Sequence, residues 1–443
     1  MTVPVLRTID LRGQDLSQAQ LGAVLPRQGS QYRRSVEQKV QQIIDRVGRE
    51  GAPYVKELAA QFDGVQQEKL RVAPERLAAA AKNLDPLLKE SLEISISRAR
   101  AFARVQRPQD AALELAPGAR LTHRWVPVDR AGIYVPGGLA VYPSSVVMNV
   151  VPAQAAGVES ILLCSPPQKE FAGEPHPTIL AAAHLLGVSQ VWAIGGAQAI
   201  AAMALGLLDG AEELVAVDTV TGPGNIYVAL AKRALQGKIG IDSEAGPTEI
   251  AVIADAQANP SYVAADLISQ AEHDPQAAAV LITDSPELAG QVQSCLREQI
   301  GASKHAQRIT TSLQGQQSAL ILTDDEQQSV AVANAYAAEH LEIQTRHPDR
   351  LAAKIRHAGA IFLGPYSPVA LGDYAAGSNH VLPTGGTAAF ASGLSTASFM
   401  KAVQVIDYSA SALAQLAEPI VALAQSEDLP AHGQAVSLRM GGQ

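Results

Sequence analysis

This sequence has few aromatic residues, few cysteines and a low content of charged residues. Phe, Trp and Tyr make up 4% of its 443 residues, so the core has to be built from Ala, Val, Leu and Ile. Small side chains let helices lie close on a sheet, which favours an α/β layered fold. Two cysteines are too few for a disulfide framework, so a reducing, cytoplasmic setting is expected.

The sequence also lacks a basic block and a long apolar run. With a net charge of −9 and no cluster of Lys and Arg, a nucleic-acid partner is not expected. The longest apolar helix-like run, residues 199–208, is too short to cross a bilayer, so no membrane association is expected. Arg7 and Asp10 interrupt the N-terminal segment, which argues against a signal peptide.

Short apolar segments alternate with Ala-rich helical segments from about residue 125 onwards. A first series of predicted strands covers residues 131–135, 160–164, 191–196 and 213–217, and a second covers 249–255, 278–284, 318–324 and 359–364. Alternation of this kind predicts mostly parallel, doubly wound sheets, in two α/β units. Residues 1–34 are expected to form an arm without its own core, and the tail from about 399 is expected to be helical.

Three glycine-rich segments, at 136–138, 195–199 and 221–225, each follow a predicted strand and precede a predicted helix. Turns of this kind let a phosphate approach backbone N–H groups at a helix N-terminus. Three of them in one sheet suggest a nucleotide crevice. None is a complete GxGxxG fingerprint, and tight turns between packed elements explain them equally well.

Histidine is scarce, with ten residues in the chain, and two of them follow Glu in the tripeptide Ala-Glu-His. In the first copy, Gln270 and His273 are three residues apart on one helix face. His is a common zinc ligand and Gln is not, so a polar surface pair is the simpler interpretation of these residues alone. In the second copy, Glu339 and His340 could form an acid–base pair or an ordinary charged helix end.

The Gly-rich segment 365–398 and the tail supply further candidate ligands. Asp373 and His380 lie in the first, and Glu427 and His432 in the second. The cysteines have no polar neighbours that would activate them: Cys164 ends a predicted core strand, and Cys295 falls on an apolar helix face. A thiol nucleophile is therefore disfavoured.

Eight collinear strings resemble the bacterial L-histidinol dehydrogenase family along nearly the whole chain. They are GIYVPGG, GGAQAIAA, GPGNIYV, IDSEAGPTEI, DLISQAEHDP, AEHLEIQT, GDYAAGSNHVLPT and LPAHGQAVSLR. The resemblance implies an NAD- and zinc-dependent enzyme that oxidises L-histidinol to L-histidine through bound L-histidinal, using two NAD, in the last steps of histidine biosynthesis. The alternatives are a zinc- and NAD-dependent dehydrogenase of another small polar alcohol, a zinc hydrolase using Glu339 as base, and a non-catalytic nucleotide-binding protein.

The resemblance also implies roles for individual residues. Glu339 and His340 would be catalytic, and Gln270, His273, Asp373 and His432 would bind one zinc ion per subunit. NAD contacts would come from Tyr134, Gln198 and Asn225. The substrate contacts would be Thr248, Gln270, His273, Glu339, Asp373, His380, Glu427 and His432. The family implies a homodimer with shared active sites, in which the tail crosses over and His432 comes from the partner chain.

The fold implied is α/β, with two incomplete Rossmann-like domains that resemble aldehyde dehydrogenases, plus an N-terminal arm and a helical C-terminal tail. The expected divisions are an arm at 1–34, a first domain formed by 35–133 with 250–394, a second, NAD-binding domain at 134–249, and a dimer-crossing tail at 395–443.

Overall fold

The computed structural model describes residues 5–27, 33–137, 141–243 and 246–441. Gly138, of the first glycine-rich turn, and Glu244 and Ala245 lie outside these ranges. Within them, no helix combines the length and the apolar character that a membrane span needs.

The strands, in chain order, are β1 Thr8–Asp10, β2 Ala111–Ala116, β3 Ala119–Pro127, β4 Arg130–Tyr134, β5 Ser160–Ser165, β6 Gln190–Ala193, β7 Leu207–Asp209, β8 Glu212–Leu214, β9 Thr219–Thr221, β10 Gly240–Ile241, β11 Glu249–Ala254, β12 Ala278–Thr283, β13 Ala319–Leu322, β14 His340–Gln344, β15 Ala360–Leu363 and β16 Met400–Tyr408.

The α-helices are α1 Gln18–Val24, α2 Arg33–Glu50, α3 Ala52–Leu58, α4 Pro74–Lys82, α5 Pro86–Gln106, α6 Pro143–Ala156, α7 Pro177–Leu185, α8 Gly196–Leu205, α9 Ile226–Leu235, α10 Pro260–Ala271, α11 Pro286–Ala302, α12 Ala306–Leu313, α13 Glu326–Tyr336, α14 Pro348–Ala352, α15 Val369–Tyr374, α16 Ala410–Ser426 and α17 Pro430–Arg439. Several begin as their sequences predict. In α10, for example, Asn259 caps the backbone N–H of Ser261 and Pro260 occupies the first turn.

A six-stranded parallel sheet has the order β1-β13-β12-β11-β14-β15. Its central strands are buried on both faces, because α10, α11 and α12 cover one side and α1, α13 and α14 the other. The four strands predicted in the second series all lie in this sheet. The N-terminal arm adds β1 to its edge.

A five-stranded parallel sheet has the order β10-β9-β4-β5-β6. The strand predicted at 213–217 is wrong for this sheet, since β8 pairs with β7 in a separate antiparallel hairpin. The strand next to β4 is β9, whose Thr219, Val220 and Thr221 are all buried. Val215 is 37% exposed, so the apolar run 213–217 is not buried throughout as a central strand requires.

In each sheet the strand order reverses once, between β4 and β9 and between β11 and β14. Ligands of open parallel sheets bind beside such reversals, at the carboxyl ends of the strands. The five-stranded sheet follows this rule, because the glycine-rich turns continue from β4, β6 and β9. Its carboxyl edge lies near the amino edge of the six-stranded sheet, where the Tyr142 and His273 rings stack with centroids 6.4 Å apart.

The helices between residues 33 and 106 pack mainly with the five-stranded sheet. Helix α2 lies against α8 and α9, α4 against α7, and α5 against α6. This packing differs from the predicted grouping of 35–133 with 250–394. No strand is predicted within residues 35–107, so the sequence does not indicate which sheet these helices cover.

The tail begins with a strand, not with a helix. Strand β16 pairs antiparallel with β3 along its full length, from Met400 opposite Pro127 to Tyr408 opposite Ala119. The prediction of a helical tail from 399 is therefore wrong for residues 400–408, and helices follow only from Ala410. Helices α16 and α17 pack mainly on each other as a hairpin.

Candidate active site

Glu339 and His340 lie where the loop after α13 enters β14, beside the strand-order reversal. Glu339 Oε2 accepts hydrogen bonds from Thr248 Oγ1 at 2.5 Å and from the Glu249 backbone N–H at 2.9 Å. Burial raises the pKa of Glu339 to about 8, although both hydrogen bonds oppose this rise. A carboxyl group of this pKa exchanges protons near neutral pH, as a general acid or base must.

The His340 ring is oriented by its Nδ1 atom, which is 3.2 Å from the Glu249 carbonyl oxygen and 3.6 Å from Glu339 Oε2. Burial lowers the pKa of His340, so the imidazole is held neutral, with one N–H. When Nδ1–H donates to the Glu249 carbonyl, Nε2 keeps its lone pair. His340 Nε2 is buried and has no hydrogen-bond partner among the described residues, so it is available to take a proton from a ligand.

Thr248 connects this pair with the end of helix α10. While its hydroxyl donates to Glu339, it accepts a hydrogen bond from Gln270 Nε2 at 2.6 Å. The amide nitrogen of Gln270 is thus occupied, and its buried Oε1 atom lacks a partner among the described residues. A buried oxygen acceptor without a donor is costly unless something binds it.

His273 and Asp373 are two further predicted metal ligands. His273 follows α10, and Asp373 lies on α15. His273 and Asp373 interact electrostatically with each other, and both also interact with His340. Burial is the main influence on each: it lowers the pKa of His273 and raises that of Asp373. An imidazole and a carboxylate are common zinc donors, whereas the amide oxygen of Gln270 is an uncommon one.

No cluster of three His, Cys, Asp or Glu side chains suited to a metal exists in the part of the chain that the structure describes. Of the four predicted ligands, Gln270 is not one of these four residue types, and His432 lies on α17. The residues of one chain therefore fit part of a zinc site, and the unpartnered Gln270 oxygen is the feature that favours it.

His380 links helix α15, which carries Asp373, with helix α6. Its Nδ1 is 3.1 Å from the Asp373 carbonyl oxygen, and its Nε2 is 3.3 Å from Ser145 Oγ on α6. Burial lowers the pKa of His380 to about 4, so it is neutral at pH 7. Both ring nitrogens have protein partners, so His380 connects α15 with α6, and its predicted contact with substrate stays a prediction.

Glu427 and His432 are not near these groups within one chain. Glu427 ends α16 and His432 lies on α17, and both are exposed on the hairpin that these helices form. The structure thus brings Thr248, Gln270, His273, Glu339, His340, Asp373 and His380 together and leaves the two tail residues apart.

The glycine-rich turns are tied to one another. Tyr134, at the end of β4, is buried, and its hydroxyl accepts a hydrogen bond from the Gly196 N–H at 3.0 Å. Gly222 has a φ of +121°, and a Cβ there would lie 2.0 Å from the Tyr134 carbonyl oxygen, so only glycine fits. Asn225 caps α9 by accepting from the backbone N–H groups of Tyr227 and Val228.

A buried ion pair that sequence reasoning missed supports the third turn. Lys232 Nζ lies 2.5 Å from Asp242 Oδ1 and donates to the Gly222 carbonyl at 3.0 Å, while Asp242 Oδ2 accepts from the Gly222 N–H at 2.8 Å. Both side chains are almost wholly buried. Their charges thus hold both polar groups of the Gly222 backbone.

Glu249 is a second missed residue. Its backbone positions Glu339 and His340, and its buried carboxyl group accepts from the Gly385 N–H at 3.1 Å and from Arg27 at 3.4 Å. Burial raises the pKa of Glu249 to about 7. It lies within the family string IDSEAGPTEI (residues 241–250), but an acidic residue at the start of an apolar strand gave no further indication of its role.

Neither cysteine takes part in this site. Cys164 is fully buried in β5, and burial raises the pKa of its thiol. Cys295 is partly exposed on α11, packed against the apolar cluster of the six-stranded sheet. Both positions agree with the exclusion of a thiol nucleophile.

The comparisons with known proteins agree with each other. The family model described as histidinol dehydrogenase matches residues 26–440. The chain is 55% identical to a histidinol dehydrogenase of Mycolicibacterium smegmatis, covering 97% of both sequences, and 55% identical to one of Thermobifida fusca, covering 98% of both. A crystal structure of histidinol dehydrogenase from Elizabethkingia anophelis matches 100% of this chain and 99% of its own, with a TM-score of 0.92 and 31% identity.

Proposed function

Because the chain belongs to the histidinol dehydrogenase family, we propose that Glu339 and His340 carry out the proton transfers of that family's reaction. The enzyme oxidises histidinol to histidine in histidine biosynthesis, with NAD as the electron acceptor. Converting a primary alcohol to a carboxylate removes four electrons, so two hydrides leave in succession through a bound aldehyde and two NAD are reduced. A dehydrogenase of another alcohol is not favoured, since the relatives are histidinol dehydrogenases over nearly their full length.

In the first oxidation, His340 takes the hydroxyl proton of the alcohol as hydride passes to NAD. The observation that carries this assignment is the free, buried Nε2 of a neutral imidazole whose other nitrogen is held by the Glu249 carbonyl. Neutral imidazole is a suitable base near pH 7. The first oxidation thus yields aldehyde, NADH and protonated His340.

In the second oxidation, water must first add to the aldehyde to form a hydrate. Glu339 takes a proton from that water while His340 gives the proton it gained in the first oxidation to the aldehyde oxygen, which completes the hydrate. Neutral again, His340 then accepts the proton of a hydrate hydroxyl as the second hydride leaves. The raised pKa of Glu339 supports this role, because a base with a pKa of about 8 binds the proton of water readily. Burial of both side chains supports an enclosed site that keeps the aldehyde bound.

Zinc would be held by Gln270, His273 and Asp373, with His432 of the partner subunit as the fourth protein ligand. When bound, the ion would grip the nitrogen atoms of the substrate and so orient it. This assignment rests on the unpartnered Gln270 oxygen and on the electrostatic interaction between His273 and Asp373. One zinc ion per subunit is proposed.

A homodimer with crossed tails would supply His432 and Glu427. The α16–α17 hairpin supports this proposal, because Leu423 is 65% and Leu438 60% exposed on it. Leu416 and Leu429 of the same hairpin are each 42% exposed, and several exposed apolar side chains on one element favour an interaction surface. Within one chain, His432 is exposed on the hairpin that α16 and α17 form, as a residue that serves a second copy would be.

The remaining contacts follow the same family pattern. NAD would bind at the carboxyl edge of the five-stranded sheet, contacting Tyr134, Gln198 and Asn225, with its phosphates near the helix N-termini. Thr248 and His380 would contact substrate from the same chain as Glu339, and Glu427 from the partner subunit. A cytoplasmic location is proposed from the low cysteine content.

Subunit complementation tests the ligand set and the crossover together. His432→Ala and His273→Ala homodimers should each be inactive and lose zinc. Co-expressed with different affinity tags and purified as heterodimers, they should regain activity, since one of the two sites keeps a complete set of ligands. Two NADH per histidinol, abolished by chelation and restored by zinc, are expected from wild type. Inactive heterodimers with both tags present would contradict the crossover.

A further inference from the structure

A pair of carboxyl groups, Asp266 and Glu342, lies beside the site but outside its assigned residues. Glu342 is 1% exposed in β14, and Asp266 lies half-buried on α10. The amide nitrogen of Gln344 donates to Asp266 Oδ2 and to Glu342 Oε2, each at 2.9 Å. The amide nitrogen of Gln344 thus bridges the two carboxyl groups. We refer to Asp266 and Glu342 as the carboxyl pair.

The polar face of β14 is unusual for its position. Both faces of this strand are buried, and strands of that kind are normally apolar throughout. Here His340, Glu342 and Gln344 alternate with Leu341 and Ile343. Leu341 and Ile343 join the apolar cluster on one side of the sheet, and the three polar residues face α10 and α15 on the other. Retaining buried carboxyl groups in a core is unfavourable unless they are fully hydrogen-bonded.

The carboxyl pair joins three elements, and each of them carries proposed site residues a short distance away. Asp266 lies one helical turn before Gln270 on α10. Glu342 lies two residues after His340, on the same face of β14. Glu342 Oε1 accepts from the backbone N–H of Val369 at 3.0 Å, and Val369 begins α15, the short helix that carries Asp373.

We propose that the carboxyl pair is a positioning element that fixes α10 and α15 against β14, and so holds Gln270 and Asp373 at the distance that zinc requires. This inference rests on the ligand set proposed above. Asp266 and Glu342 do not touch the ion or the substrate. They act through the backbone of the elements that carry the ligands.

The proton between the two carboxyl groups makes this contact attractive. Burial raises the pKa of both groups, which favours a single proton shared between them. The remaining Glu342 oxygen is then free to accept from Val369. Without this acceptor, the first N–H of α15 would lose its partner, because Pro368 provides no side-chain cap.

The chain offers variants that separate positioning from packing. Asp266→Asn replaces the shared proton by an amide N–H, so every hydrogen bond of the pair is kept. Glu342→Leu preserves apolar volume but removes the acceptor for Val369 and the link to α10. Glu342→Leu leaves the Val369 N–H without its acceptor, so a loss of stability is expected and the unfolding midpoint has to be measured beside the zinc affinity.

Zinc affinity of the metal-free dimer, measured by competition with a chromogenic chelator, is the readout. Glu342→Leu should weaken affinity by about 10–100-fold, the usual effect of losing support behind a ligand, while Asp266→Asn should stay within about twofold of wild type. Unfolding midpoints of the metal-free proteins show whether the fold survives. Should Glu342→Leu not fold, Asp266→Ala, at a half-buried position, replaces it with the same expected loss.

Three outcomes would overturn parts of this reasoning. Wild-type affinity in folded Glu342→Leu, or in Asp266→Ala, would overturn the positioning role. An equal loss in Asp266→Asn and Glu342→Leu would overturn the shared proton. His273→Ala tests the proposed ligand set separately. If His273→Ala binds zinc with wild-type affinity, the proposed ligands are wrong. If His273→Ala loses zinc affinity but Glu342→Leu keeps it, only the positioning role of the carboxyl pair is refuted.

Discussion

Substituting Glu339 by Gln should slow the oxidation of the aldehyde and leave the oxidation of the alcohol nearly unchanged. The amide oxygen of Gln can accept the hydrogen bonds that Glu339 Oε2 receives from Thr248 and the Glu249 N–H, so the local structure should be kept. What is lost is the ability to take a proton. In the proposed mechanism, the first oxidation uses His340 as base, and only the second requires Glu339 to activate water.

The magnitude follows from the pKa of Glu339. With a pKa of about 8, this carboxyl group is protonated in roughly nine of ten molecules at pH 7, in the metal-free protein. Gln resembles that protonated form, so alcohol oxidation should change by no more than about threefold. Loss of a general base typically costs 10²–10⁴-fold, or about 2.7–5.4 kcal/mol, and this cost should fall on aldehyde oxidation.

Rapid-mixing absorbance of NADH separates the two steps. Wild type should form two NADH per histidinol, whereas Glu339→Gln should form one quickly and then stall with aldehyde bound. Aldehyde oxidation by wild type should increase with pH up to about 8, because the base form of Glu339 exists above its pKa, and the variant should not show this rise.

Glu272→Gln is a matched control, since Glu272 stands in the other Ala-Glu-His tripeptide and is exposed. It should retain both oxidations. Equal losses of alcohol and aldehyde oxidation in Glu339→Gln would refute the division of roles, as would a loss of aldehyde oxidation smaller than about tenfold.

Two further predictions concern residues that support the site. Lys232→Met should lower the free energy of unfolding by about 3–5 kcal/mol, because Asp242 is left buried without its cation. It should also raise KM for NAD without raising KM for histidinol, and equal changes in both would count against a role in the NAD turn. Glu249 has a pKa raised from 4.5 to about 7, so its contribution to stability is complete below pH 4.5 and is lost as the pH rises through about 7. In metal-free protein the stability difference between wild type and Glu249→Gln should therefore change by roughly 3 kcal/mol over this range, and parallel stability–pH curves would contradict the shift.

Much of the local structure was readable from sequence. The predicted strands of the six-stranded sheet are correct because continuous apolar runs bounded by turns mark strands that are buried on both faces. The start of α10 followed from Asn259 and Pro260, whose capping preferences are local. The predictions for residues 213–217 and 400–408 are wrong. An apolar run does not indicate which sheet a strand joins, and pairing with β3 makes residues 400–408 a strand.

The candidate site shows the same division. The adjacency of Glu339 and His340, the single-face spacing of Gln270 and His273, and the order of the family motifs are properties of the sequence alone. Residue types and short spacings determine these, together with membership of the family.

Tertiary structure alone decided which of these groups meet. Thr248 connects Glu339 with Gln270 across 91 and 22 residues of chain, and the carboxyl pair spans α10 and β14. Parallel strands are joined by long crossovers, so residues far apart in sequence converge where strand order reverses. His432 is exposed on the tail hairpin, and the contact proposed for it needs a second copy, because the packing of one chain fixes only the contacts within that chain.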